Sequence, residues 1–139
     1  MTRVKNAFEL SSGGKRILKL TLTFLEGGVS YGLAELLWRG YTHPSMVAAG
    51  GICLVFIRVI SSGLRRVPIL LRTAACASAV TLVELIAGCV LNLGLGLSVW
   101  DYSGMALNYK GQICLFYSIL WFFMCLPIVI LMQSTEKTR

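Results

Sequence analysis

The chain has 139 residues, 56% of them hydrophobic and 14% charged, with a formal net charge of +7 and a mean hydropathy of +0.75. Soluble domains carry about 25% charged residues, and so short a chain cannot hide this many apolar side chains in a water-soluble core. Composition therefore excludes a soluble globular domain and makes a lipid bilayer the solvent for much of the surface. It also argues against nucleic acid as a partner, because the basic residues flank apolar runs and do not stripe a helix face.

Residues 1 to 16 are polar and basic (Arg3, Lys5, Lys15, Arg16) and read as a cytoplasmic lead-in, with Ser11 to Gly14 as a flexible joint and no cleavable signal peptide. A first span is expected from Leu18 to Trp38, long enough to cross ~30 Å of hydrocarbon. Arg39 to Pro44 then makes a tight turn, with Pro44 placed to open the next helix. A second span from Ser45 to Ile60 ends on a basic loop with Arg58, Arg65 and Arg66. The third apolar run, Ile69 to Val99, is broken by Arg72, Glu84 and Asn92 alone. As one straight helix it would reach ~46 Å, so it either projects from the membrane or breaks near Gly94-Leu95-Gly96. Trp100 to Gly111 reads as a second outer loop, Gln112 to Met132 as a fourth span that Pro127 can kink, and Gln133 to Arg139 as a polar tail.

The expected fold is thus all-α: a four-helix membrane domain over residues 17–132, built as two tandem parallel hairpins (17–62 and 69–132), between a lead-in at 1–16 and a cytoplasmic tail at 133–139. Eleven of the thirteen basic residues fall on the lead-in, the middle loop and its helix ends, or the tail; the outer turns hold Arg39 and Lys110. That bias places both termini in the cytoplasm. The five cysteines all lie in apolar segments without a Cys-x-x-Cys, and a single histidine accompanies them, so neither a metal site nor a cofactor is expected.

The chain also matches itself. An offset of 49 pairs Gly28 with Ala77, Gly32 with Thr81, Glu35 with Glu84 and Arg39 with Gly88. An offset of 61 pairs Tyr41 with Tyr102, Thr42 with Ser103, Gly50 with Gly111, Ile52 with Ile113, Cys53 with Cys114 and Leu54 with Leu115. The 12-residue difference falls in the surplus of the third run. Gly28 and Gly32, and Ala77 and Thr81, form small-residue faces that allow close helix approach and turn each glutamate inward, with Gly88 one turn further on.

Glu84 to Gly88, Trp100-Asp101-Tyr102-Ser103, Asn108, Gly111 to Cys114 and Trp121 resemble the core pattern of the ABC-transporter type IV (CmpB-like) membrane family. Gly27-Gly28, Tyr31, Glu35 to Gly40, Thr42-His43, Met46 and Gly50-Gly51 look like its short members, and the resemblance covers about residues 24 to 125. It implies a small bacterial multi-pass protein of the cell membrane, of permease type. The chain has no nucleotide-binding loop, so any ATPase would be a separate subunit.

Ionisable and amide groups within apolar segments point to function by default. Glu35 and Arg39 share a helical turn, either as a neutralising pair or as a cation or proton site gated by the arginine. Glu84 has no basic residue within a turn; it is either an ion site or hydrogen-bonded to Thr23, Asn92 or Ser118. Glu26 lies off the Glu35 face and would snorkel, pair with Lys19 or Arg72, or mark an oligomer contact. Trp38, Tyr41, Trp100, Tyr102 and Tyr109 suit an interfacial aromatic belt. Asp101 would cap a short helix or line an entrance, Asn108 lies in the same loop, and His43 is expected to hydrogen-bond its own turn. Glu84, Glu35, Arg39, Asn92, Asp101 and Asn108 are accordingly the candidate solute- or ion-binding residues. The expected function is translocation of a small solute or ion by a homo-oligomer. The alternative is a non-transporting accessory subunit of a larger membrane complex, its polar groups serving as helix–helix glue. An enzyme is not expected, for want of a paired nucleophile and base.

Overall fold

Local signals at the chain's turns set where its helices begin and end. The computed structural model describes residues 11–137. Helix α1 spans Ser12–Arg39; the Ser11 hydroxyl caps it by accepting from the Gly14 amide, so the segment expected as a flexible joint is a helical first turn. Gly40, at φ +76°, ends α1 by returning its amide to the Leu36 carbonyl. Shortly after, α2 (Pro44–Gly63) opens with proline in its first turn and the His43 ring accepting from the Ser45 amide. Helix α3 covers Ile69–Gly88 and continues as a π-helical turn, Cys89–Gly94. Regular helix stops there, so the long third run breaks at its glycines. A small antiparallel hairpin comes next, β1 (Asn108–Tyr109) with β2 (Ile113–Cys114), and α4 runs Leu115–Lys137 with Pro127 inside it. Residues 1–10 of the expected lead-in and the last two of the tail lie outside the described residues.

The fold is all-α apart from that hairpin. Helices α2, α3 with its π turn, and α4 up to Thr135 are each long and apolar enough to cross a membrane. At 28 residues α1 is about 42 Å long, but it carries Lys15, Arg16, Lys19, Glu26, Glu35 and Arg39. Large apolar side chains cover the outside, among them Leu22, Val29 and Leu33 of α1 and Phe116, Phe123 and Leu131 of α4. Surface of that kind belongs in lipid, and the chain is a membrane protein.

Packing runs in chain order: α1 on α2, α2 on α3, α3 on α4, while α1 scarcely touches α3 or α4. The α1–α2 seam is built on glycine. A Cβ on Gly27 would stand 2.6 Å from both the Gly50 carbonyl oxygen and Leu54 Cβ, and one on Gly51 would stand 2.6 Å from the Phe24 carbonyl oxygen. Gly28 and Gly32 face Val47. Where α2, α3 and α4 converge, Ile57, Cys76, Ala77, Val80, Cys125 and Val129 form the core. The cysteines there are free and buried.

The self-match at 61 does not describe equivalent structure along its length. It pairs Pro44 to Gly50, all α2, with residues 105 to 111, which are turns and the first strand. Gly50 serves close helix approach, whereas Gly111 sits at φ +68° in the hairpin turn.

Candidate functional site

The π turn at the end of α3 directs residues 95 to 111 back over the bundle. A π turn widens the helix and shifts side-chain direction, and here it presents Asn92 to that connection. The Asn92 amide nitrogen donates to the Trp100 carbonyl (2.9 Å) and to Gln112 Oε1 (2.8 Å), while its oxygen accepts from the Val99 amide (2.7 Å). The Trp100 indole donates to the Gln112 carbonyl at 2.9 Å. Gln112 fits because Gly88 has no side chain: a Cβ there would stand 2.5 Å from Gln112 Oε1. Asn108 closes the hairpin, donating to the Ser103 and Met105 carbonyls and accepting from the Gly111 amide. Asp101 starts no helix; its carboxylate takes the Ser103 amide (2.8 Å) and hydroxyl (3.0 Å). Those bonds, the amide's first, hold the Asp101 carboxyl below the usual range.

This scaffold delivers Tyr102 to Glu84. Glu84 is 8% exposed; Oε1 accepts from the Tyr102 hydroxyl at 2.8 Å and Oε2 from the Trp121 indole nitrogen at 2.9 Å. The Tyr102 ring is stacked on Tyr117, centroids 4.5 Å apart. Burial, reinforced by the Glu84 charge, holds the Tyr102 phenol well above its usual pKa, so it stays a donor. Thr23, Asn92 and Ser118, the partners expected for Glu84, are engaged elsewhere. Thr23 donates to the Lys19 carbonyl and receives Arg58, Asn92 holds the loop, and Ser118 returns to the Cys114 carbonyl.

Glu35 is solved differently. It is 6% exposed, pairs with Arg39 Nη1 at 3.0 Å and accepts from the Thr42 hydroxyl at 2.6 Å. Arg39 Nη2 donates to Tyr41 Oη (2.8 Å) and to the Val99 carbonyl (2.9 Å), so the guanidinium stitches the end of α1 to the connection after α3. Towards the opposite end, Arg72 is 1% exposed and donates from Nε to Ser61 at 2.8 Å. It is a buried α2–α3 tie, not a rim charge. Glu26 is exposed on α1 and has no hydrogen-bond or ion-pair partner among the described residues.

Two cavities meet at this site. The inner one, about 170 Å³, is almost wholly apolar; Tyr31, Met46, Cys53, Trp121 and Met124 line it, and Glu84 is its carboxylate. The outer one, about 550 Å³, carries Glu35, Arg39, Asp101, Tyr102 and Tyr117 on its walls. Tyr31 of α1 and Trp121 of α4 border both, with ring centroids 6.0 Å apart. Both cavities open between α1 and α4, and α2 and α3 form the remaining walls of the inner one.

The structure therefore brings Glu84, Glu35, Arg39 and Asp101 to one cleft, while Asn92 and Asn108 brace the loop that roofs it. Trp38, Tyr41 and Tyr109 are exposed as a belt would require, but Trp100 and Tyr102 turn inward. Ala77 lies in the core, Thr81 is half-buried on the α3 flank facing α4, and Gly28, Gly32 and Gly88 are buried at packing contacts. Tyr102 and Trp121 as donors, and Gln112 as a strut, escape sequence reasoning. Their one signal is that each aromatic side chain carries a polar atom at a position where an apolar segment meets a loop or glutamate. No group of three or more His, Cys, Asp and Glu converges as metal ligands among the described residues.

A family model described as "Putative ABC-transporter type IV" matches residues 29–138, which takes in both glutamates, the roofing loop and α4. No curated protein and no solved structure matches the chain.

Proposed function

The chain belongs to the CmpB-like ABC-transporter type IV family, and from that premise we propose that it moves a small solute or ion across the cell membrane with Glu84 as its charged centre. In this reading α1 is a fourth span, the two hairpins lie side by side with both termini cytoplasmic, and the working unit is a homo-oligomer, with any ATPase a separate subunit. The protein is not an enzyme. One observation supports the reading above the rest: Glu84 is buried against a cavity, bonded by two neutral donors and paired with no cation among the described residues. Glu35, held by Arg39, serves as the latch of the outer mouth.

Proton uptake driven by a membrane potential, in proteoliposomes carrying a pH-sensitive dye, tests this. Glu84→Gln is expected to lower uptake at least about tenfold with insertion and oligomer size unchanged; full uptake in that variant removes the mechanism. A second reading, an accessory subunit, draws support from Glu26, exposed amid the apolar outer face of α1 and unpaired among the described residues. It predicts stable capture of one large membrane partner and no flux by the purified protein.

A further inference from the structure

The cleft is selective in what chemistry it can hold. Three carboxylates (Glu84, Glu35, Asp101) border its two cavities against one guanidinium, Arg39. That guanidinium already spends three of its five N–H donors on Glu35, Tyr41 and the Val99 carbonyl, and with carboxylates outnumbering it the charge of the cleft disfavours an anion. A small metal cation requires several oxygen ligands at once; the inner cavity lining offers few beside Glu84, the Ser30 hydroxyl and the Tyr31 phenol, and is otherwise mostly hydrocarbon, sulfur and aromatic ring. What does match is a cation whose own surface is apolar. Such an ion loses little on leaving water, takes Glu84 as its counter-ion, and rests on ring faces, where cation–π attraction strengthens as water is excluded. Tyr31 and Trp121, a tilted pair of rings from α1 and α4, together form an aromatic wall of the cavities, and Tyr102 and Tyr117 continue it outward.

We propose that the joined cavities between α1 and α4 are a binding site for a lipophilic organic monocation, an alkyl- or arylammonium, with Glu84 as counter-ion and Tyr31 and Trp121 as the rings it rests on. The site takes its ligand through the side, along the gap where α1 leaves α4 uncovered. The inference rests on the reading of Glu84 as the charged centre and adds the class of solute.

Benzyltrimethylammonium and its uncharged carbon isostere, neopentylbenzene, distinguish charge recognition from simple partition. Each is titrated into the purified full-length protein in nanodiscs, with calorimetry and tryptophan fluorescence as readouts. The cation is expected to bind at least about tenfold more tightly than the isostere, and Glu84→Gln to remove that preference. Tyr31→Leu touches neither hydrogen bond of Glu84 and is expected to weaken the cation by about tenfold with the isostere little changed. Equal affinity for the two compounds, or undiminished cation affinity in both variants, overturns the proposal. Glu84-dependent proton uptake in a protein that does not bind benzyltrimethylammonium overturns this inference and leaves the Glu84-centred reading standing. A Glu84→Gln variant that alters neither binding nor uptake overturns both.

Discussion

Glu35 and Glu84 are both buried glutamates, paired by the chain's match to itself, yet their surroundings differ. Hairpin one closes around Glu35: a short turn between α1 and α2 supplies Thr42, the next turn of the same helix supplies Arg39, and glycines press the two backbones together. Hairpin two opens around Glu84: its connection is long, its donors are aromatic and uncharged, and the carboxylate borders an apolar chamber. A buried carboxylate neutralised within its own hairpin has its charge requirement met by the fold. One held by neutral donors still has a place for a cation or a proton. The counter-charge is what distinguishes the two glutamates, and it is the ground on which Glu84 is proposed as the working one.

The contrast can be broken most violently at the glycine seam. In Gly50→Leu the new side chain strikes Tyr31 and its Cβ stands 2.9 Å from the Gly27 carbonyl oxygen, so α1 must lift off α2. A loss of ~3 kcal/mol or more is expected, seen as failure to recover monodisperse protein. Gly104→Ala in the second connection, where a Cβ meets nothing within 4 Å, should leave unfolding unchanged. Next comes the ion pair. Glu35→Gln strips the guanidinium of its counter-charge, and because Arg39 is partly exposed the expected cost in denaturant titrations is ~1–2 kcal/mol. The double variant Glu35→Gln/Arg39→Gln should cost less than the single one if neutralisation is what the pair supplies. Tyr102→Phe removes one neutral donor from Glu84 and is expected to cost ~1 kcal/mol. A cost above that of Glu35→Gln would reverse the ranking of the two sites.

The smallest effect concerns Asp101. Its carboxyl is held below the usual range by the Ser103 amide and hydroxyl, so its contribution is complete above the ordinary aspartate pKa of about 3.9 and is lost as pH falls through the lower, folded-state value. The Ser103 amide resonance should track that loss on acidification and stop doing so in Asp101→Asn.

Much of this architecture is legible from hydropathy and punctuation. Gly40 and Pro44 mark the first turn, Gly94 and Gly96 mark the break, and the small-residue faces turn both glutamates inward. The donors to Glu84 are not legible, because they depend on a fold-back braced by contacts between Asn92, Trp100 and Gln112, residues 8 to 20 apart, that no periodicity encodes. Trp100 and Tyr102 illustrate the cost: near a helix end they read as interfacial anchors, and the indole–Gln112 and phenol–Glu84 bonds turn them inward instead. Gly50 and Gly111 share an alignment column and have unrelated tasks, a tight helix crossing and a left-handed turn residue.

The glycine seam has a mechanical corollary. With carbonyls and α-carbons of α1 and α2 in direct apposition along Gly27, Gly28, Gly50 and Gly51, neither helix can slide or roll without collision. The first hairpin is therefore a stiff unit, and Ile57 and the Ser61–Arg72 bond anchor it to α3. Arg39, bridging to Val99, fastens that stiff unit to the connection after α3.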